Sequence, residues 1–354
     1  MHPPDWPKAR GARSNPKPRF DPLERDAEDD GWPPDEPPPP GTTVQVDKAK
    51  SVISRNTSPD IPFDRSVNPY RGCAHGCVYC FARPTHAFLD LSPGLDFETR
   101  LFVKPDAPRL LEAELRRRGY RPAVLAIGTN TDPYQPIERR YRVMRGCLEV
   151  LAAFGHPVAI TTKSHLVTRD VDILGPMAAR GLAAVAVSVT TLDRDLHRKL
   201  EPRAATPAKR LEAIRDLSAA GIPTTVMAAP VIPRINDHEL EAILAAGREA
   251  GARNAACILL RLPHEVKDLF AEWLRAHFPD RADHVLSLVA QQRGGRLYDS
   301  AFGTRYTGTG PHAELLAQRF RLAQRKLGLD GMRFQLDCGQ FRVPPTPGDQ
   351  LTLF

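Results

Sequence analysis

Long apolar runs are missing from this chain of 354 residues: none approaches the about 18–20 residues that a membrane-spanning helix needs. The N-terminus lacks the apolar core of a secretory signal and is rich in proline instead, so the expectation is a soluble cytoplasmic protein with no membrane attachment. Cysteine is sparse, and Cys147, Cys257 and Cys338 stand alone. Isolated thiols outside a secretory context make no disulfide framework and read as reduced side chains. Among the histidines, His75, His86 and His165 have no spacing that demands a metal ion.

The other three cysteines, Cys73, Cys77 and Cys80, lie together in the run Arg71-Gly72-Cys73-Ala74-His75-Gly76-Cys77-Val78-Tyr79-Cys80-Phe81-Ala82-Arg83. What this loop lacks is a fourth thiol. A structural zinc site wants four closed ligands, and His75 or a distant cysteine would have to complete one. A cubane iron–sulfur cluster held by three cysteines keeps one iron open to another ligand. Gly72 and Gly76 suit a backbone that folds closely around such a group, because glycine tolerates positive φ.

Around the loop, short β-branched or apolar runs alternate with amphipathic patterns. Strands are expected at Ser66–Tyr70, Ala123–Gly128, Val158–Thr162, Ala184–Val189, Thr224–Ala229 and Cys257–Leu260. Helices are expected at Pro108–Gly119, Arg139–Phe154, Thr206–Ala220 and Asp237–Ala250, with Gly119, Gly155, Gly221 and Gly251 as stop signals. Such alternation implies a parallel sheet. The first strand runs into the cysteine loop, and barrel active sites lie at the C-terminal ends of strands.

Residues 1–40 hold twelve prolines and no hydrophobic period, and are expected to be a disordered tail. Their charges give a net of −3, which leaves +10 on the rest of a chain whose total is +7. A basic body is compatible with a polyanionic partner. After Leu262 the pattern turns helical, with Val266–Phe278 and Pro311–Leu327 separated by a glycine-rich stretch. Residues 266–343 therefore read as a helical cap on a core of residues 41–265, and 344–354 as an extended tail.

The cysteine triplet and Tyr79 resemble the radical S-adenosylmethionine (SAM) superfamily. That resemblance implies a [4Fe–4S] cluster on Cys73, Cys77 and Cys80, SAM chelating the open iron, and Tyr79 near the adenine. It implies an α/β fold, a partial (β/α)6 TIM-like barrel. The Gly-Gly-Glu motif common at the end of the second strand is absent; Gly128-Thr129-Asn130-Thr131-Asp132 stands there, followed by Glu138. This is similar to the branch containing spore photoproduct lyase and DNA repair photolyases, where the residues matching Thr131, Lys163 and Ser188 meet the SAM amino group, carboxylate and ribose. Cationic and short polar groups on strand ends suit those roles. Glu201 and Arg203, in a segment that also resembles the branch, have as alternatives a ligand contact or a loop salt bridge.

Where the lyase carries a hydrogen-donating cysteine, this chain has Thr129, a poor hydrogen-atom donor. Tyr134 and Cys147 are the catalytic candidates in its place. The last residues, Gln350-Leu351-Thr352-Leu353-Phe354, are similar to the pentapeptide with which bacterial repair proteins bind the sliding clamp. The resemblances together imply a radical SAM enzyme acting on a DNA lesion, reduced by a flavodoxin or ferredoxin. The alternatives are a radical SAM enzyme modifying RNA or protein, and a clamp-tethered DNA-binding module with a structural metal.

Overall fold

The computed structural model describes residues 6–21, 41–331 and 334–345. Within them ten strands follow in chain order: β1 (Thr43–Val46), β2 (Ile53–Arg55), β3 (Arg65–Val67), β4 (Tyr70–Arg71), β5 (Arg100–Val103), β6 (Leu125–Ile127), β7 (Val158–Thr162), β8 (Ala183–Ser188), β9 (Thr224–Val231) and β10 (Asn254–Leu259). The main sheet has the order β10-β9-β8-β7-β6-β3-β2, parallel throughout except for β2 at its edge. Neither edge pairs with the other among the described strands, so the six parallel strands form the expected partial barrel without closing it. A smaller sheet, β1-β5-β4, carries the chain into the cysteine loop.

Alternation decides the strands. In β7 the side chains of Val158, Ile160 and Thr162 are buried while Ala159 and Thr161 are partly exposed. One continuous core joins Leu125, Ile127, Ile160, Val185, Val187 and Val226 to Leu111, Leu148, Ile214, Leu217 and Leu244 from the flanking helices. Each such side chain contributes roughly 1.5–3 kcal/mol by leaving water. The helix Leu240–Glu249 lies so near β9 that a Cβ on Gly247 would stand 2.6 Å from Val226 Cβ, which explains a glycine in mid-helix.

Three expectations are corrected. Arg139–Phe154 is two helices, Glu138–Tyr141 and Val143–Ala153, broken at Arg142 with φ of +52°. The buried Glu138 carboxylate causes the break, accepting from the Met144 and Arg145 amides (3.0 and 3.3 Å) at the start of the second helix. The N-terminal tail is not disordered over residues 6–21: Trp6 and Ala12 are buried there. Residues 334–343, assigned to the cap, form no helix; they run along the barrel with a turn at Gly339 and Gln340, Asp337 N donating to Gly181 O (2.9 Å) and Arg342 N to Phe154 O (3.0 Å).

The remaining cap residues form helices Val266–His277, Ala282–Gln291 and Pro311–Lys326. The first two pack on the cysteine loop through Phe270, Trp273 and Val285, whereas Leu316 and Ala323 of the third join the barrel core. Among the described residues, no helix is long and apolar enough to cross a membrane. Gln350–Phe354 lies outside the described residues.

Candidate active site

The cysteine loop follows β4 and ends at the helical turn Arg83–Leu89. Cys73 and Cys77 are buried, Cys80 is partly exposed, and all six cysteines of the chain are free thiols. Polar contacts from distant segments fix the loop. Gln135, fully buried, accepts from Ala74 N (2.9 Å) and donates to Gly72 O (3.1 Å), closing the loop onto the segment after β6. Gly72 and Gly76 adopt φ of +70° and +68°, and a Cβ on Gly76 would stand 2.7 Å from Glu98 Oε2.

Beneath the loop lies a fully buried ion pair, Arg83 Nη2 to Glu98 Oε1 (2.5 Å). Arg83 also donates to the carbonyls of Cys77 (2.9 Å), Gly76 (3.2 Å) and Gly94 (2.8 Å). Glu98 in turn accepts from the Gly11 and Ala12 amides (3.0 and 2.8 Å), fastening the N-terminal arm to the loop. Gly11 runs so close that a Cβ there would overlap the Gly76 carbonyl. Trp6 packs in the same cluster as Cys77, Val78 and Tyr79. The arm is therefore a wall of the cysteine site.

Burial pushes the Cys73 thiol up to about 12, helped by the nearby charges of Asp132 and Cys80. Burial likewise raises Cys77 and Cys80, with Lys163 opposing it at both. Thiols raised in this way can be held as thiolates by a multiply charged metal group, which places a large positive charge among them. With no fourth thiol in the loop, this donor set fits a three-cysteine [4Fe–4S] cluster.

The strand ends supply the surroundings. Lys163, directly after β7, is half-buried, and its ammonium lies 5.9 Å from the centre of the Tyr79 ring. It makes no ion pair with a carboxylate among the described residues, although the Glu201 carboxylate feels its charge, and so presents a half-buried cation beside the cysteine loop, suited to an anionic ligand group. Asp132 orders this corner, accepting from Thr162 Oγ1 (2.7 Å), Lys163 N (2.7 Å) and Tyr134 N (2.9 Å), with His75 Nδ1 at 3.5 Å. Thr131 is buried and donates to Tyr70 O (3.0 Å), which leaves its lone pairs able to accept from an ammonium. Ser188 is buried at the end of β8 and donates to Ala229 O (2.8 Å).

Glu201 has a structural place that its sequence context left open. It is fully buried, pairs with Arg210, and accepts from Thr190 Oγ1 (2.8 Å) and from the Tyr79 hydroxyl. Burial pushes its carboxyl up, but the charges of Arg210, Lys163 and His197 prevail and hold it at about 2. The pair thus fixes the Tyr79 ring over which Lys163 sits. Arg203 stays outside that pair: its amide donates to His75 O (3.2 Å), its side chain donates to Thr42 Oγ1 (3.2 Å), and it lines a cavity with His75 and Tyr134. Gln135, Glu98, Arg83 and Gly11 escaped the sequence reading, since nothing in their local pattern marks a long-range contact.

Tyr79, Lys163, Thr131 and Ser188 stand in the cysteine loop or at or just beyond strand ends, and the two catalytic candidates differ in their placing. Cys147 is fully buried in the barrel core on the helix Val143–Ala153, with Glu138 and Lys104 as its charged neighbours. Tyr134 is in the same core, with the Arg169 guanidinium 6.0 Å from its ring centre. Tyr134 also lines a cavity shared with His75 of the cysteine loop, Ser164 and Arg203, whereas Cys147 is enclosed in the barrel core.

The chain matches the Radical SAM superfamily over residues 67–246 and belongs to that superfamily, whose cofactors are a [4Fe–4S] cluster and SAM. More particularly, it is 42% identical over 241 residues to an uncharacterised protein of Mycobacterium tuberculosis (strain ATCC 25618 / H37Rv), covering 67% of this chain and 71% of the relative. An uncharacterised protein of Methanocaldococcus jannaschii is 26% identical over 193 residues, 54% of this chain and 69% of that protein. Among solved structures it is similar in fold to spore photoproduct lyase complexed with dinucleoside spore photoproduct, with a TM-score of 0.58 at 16% identity, over 80% of this chain and 79% of that one.

Proposed function

We propose that this radical SAM enzyme acts on a DNA lesion in the cytoplasm. The observation that carries the chemistry is the Lys163 ammonium over the Tyr79 ring, beside three thiols, two of them buried, with no fourth in the loop. Cys73, Cys77 and Cys80 would hold the cluster; Lys163 would take the SAM carboxylate, Thr131 the amino group and Ser188 the ribose. Bound there, the cluster and SAM supply a 5′-deoxyadenosyl radical by one-electron reductive cleavage of SAM. The chain's own residues hold and shield that reaction: Glu201 and Arg210 fix Tyr79, Asp132 orders the Lys163 corner, and the N-terminal arm closes the outer side of the loop.

The DNA assignment is supported by the fold shared with spore photoproduct lyase and by the basic body of the chain. It is supported also by the resemblance of Gln350–Phe354 to a clamp-binding peptide, which would deliver the enzyme to replicating DNA. A flavodoxin or ferredoxin would be the electron donor. With Thr129 in the donor position and Cys147 in the core, the hydrogen balance must differ from that of a lyase with a cysteine donor.

Anaerobic reconstitution followed by incubation with SAM, dithionite and ultraviolet-damaged oligonucleotides tests this reading. The expected results are about four irons per chain, formation of 5′-deoxyadenosine, and conversion of a lesion seen by mass spectrometry. Zinc in place of iron refutes the cofactor assignment. Turnover only with RNA or a peptide refutes the DNA assignment. Deleting Gln350–Phe354 should abolish retention on an immobilised bacterial sliding clamp.

A further inference from the structure

We infer that the face beside the cysteine loop, built around Phe81, Arg261, Tyr306, Arg305 and Phe302, is a track for single-stranded DNA. The inference rests on the DNA reading above and names how that substrate is held. Phe81 directly follows Cys80 and is 46% exposed. The Arg261 guanidinium, just past the C-terminal end of β10, lies between two rings, 5.2 Å from the centre of Phe81 and 4.6 Å from that of Tyr306. Arg305 continues the alternation, 5.0 Å from Tyr306 and 4.9 Å from Phe302, which is 60% exposed.

This alternation is held in place. Arg293 donates to Leu260 O (2.8 Å) and Thr304 O (2.9 Å), and Leu259 N donates to Tyr306 O (3.0 Å), so the segment carrying the rings is tied to the strand end. Asp60 pairs with Arg305 at 2.5 Å. Arg261 has no carboxylate partner among the described residues. A second exposed ring pair follows the same pattern: Phe20 and Phe88, 53% and 68% exposed, meet at 5.1 Å. Arg19 lies over Phe20 at 5.3 Å and pairs with Glu265.

Exposed rings alone would fit many partners. Rings interleaved with guanidinium groups, one of them without a counter-charge, fit a partner with flat π-faces at intervals along an anionic backbone. An unpaired polynucleotide strand has that chemistry, and its stacking tolerates any base sequence. The track leads to Phe81, so a strand bound along it is delivered to the cysteine loop.

Fluorescence anisotropy of the full chain with reconstituted cluster, using a labelled, undamaged single-stranded deoxyoligonucleotide of about 20 nucleotides, tests the track; that length spans one such binding site. Arg261→Ala should weaken binding by about tenfold and Phe302→Ala by about fivefold. Arg261→Lys, which keeps the charge but loses the planar stack, should remain several-fold weaker than the unaltered protein. Iron content and circular dichroism report folding independently. No binding by the unaltered protein, or equal binding by folded Arg261→Ala and Phe302→Ala, overturns the inference. Because the probe is undamaged and no turnover is needed, loss of binding upholds the track even where no lesion is converted. Lesion conversion with unchanged binding in both variants removes the track and leaves the repair reading standing.

Discussion

The parallel strands and the cysteine loop are neighbours assembled by different physical means. The strands hold their places through short-range alternation, each burying β-branched residues on a shared core. The loop has no apolar alternation of its own, although Val78 and Tyr79 pack on the cap helices. It is shaped by Gln135 from beyond β6, Glu98 from before β5, Arg210 acting through Glu201, and Gly11 from the N-terminal arm. A core tolerates exchange of one aliphatic for another. A loop hung on single polar contacts does not, because each lost partner strands a buried group.

Changes to the loop should therefore act most strongly. Cys77→Ser should remove nearly all bound iron and abolish 5′-deoxyadenosine formation, read by iron analysis and chromatography. Glu98→Gln should come next. It leaves the Arg83 guanidinium buried without its counter-charge, at a cost of about 3–5 kcal/mol in urea unfolding. A conservative exchange in the barrel, Val185→Ile, should cost less, about 1–3 kcal/mol, by overpacking. Were Val185→Ile to exceed Glu98→Gln, the contrast between loop and strands would fail.

Gly11→Val addresses the arm. The Gly76 carbonyl leaves no room for a side chain, so the arm should lift, seen as faster tryptic cleavage at Arg13 and faster cluster bleaching in air. An arm that stays protected would mean that Gly11 has slack which the geometry does not show.

Acid should weaken both regions, through different groups. Burial, opposed by backbone contacts, holds His86 beside the loop and His156 beneath the strands at about 4, below the ordinary 6.5. The unfolded chain takes up these protons first, so their contribution is complete above pH 6.5 and is lost as pH falls towards 4. Glu201, held at about 2 against an ordinary 4.5, acts in a lower window: its contribution is complete above 4.5 and is lost as pH falls through 2. His156→Gln should flatten the upper part of the stability curve, measured by denaturant midpoints, without changing the lower part. The smallest effect should come from Arg198→Ala. Arg198 and its partner Asp195 are both about three-quarters exposed, so the midpoint should not move.

The strand pattern was legible because β7 and β9 start where their apolar alternation starts, at Val158 and Thr224. The helices Val171–Ala179, Arg194–Leu200 and Ala282–Gln291 were not legible. The first carries Pro176 inside it, and the second is largely charged. Cys73, Cys77 and Cys80 stand close in sequence, so the loop that gathers them could be read from spacing alone. Lys163 follows directly after β7, so its place beside the cysteine loop could be expected from where strand ends lie in a barrel.

By itself, the sequence determined the alternation of strands and helices and the set of three thiols, since both are matters of spacing along the chain. Only the tertiary structure decided that Cys147 belongs to the core, that Glu201 fixes Tyr79, and that residues 6–21 wall the cysteine loop. These are contacts between segments far apart in the chain. Burial and charge pairing select them only once the barrel has brought their elements together.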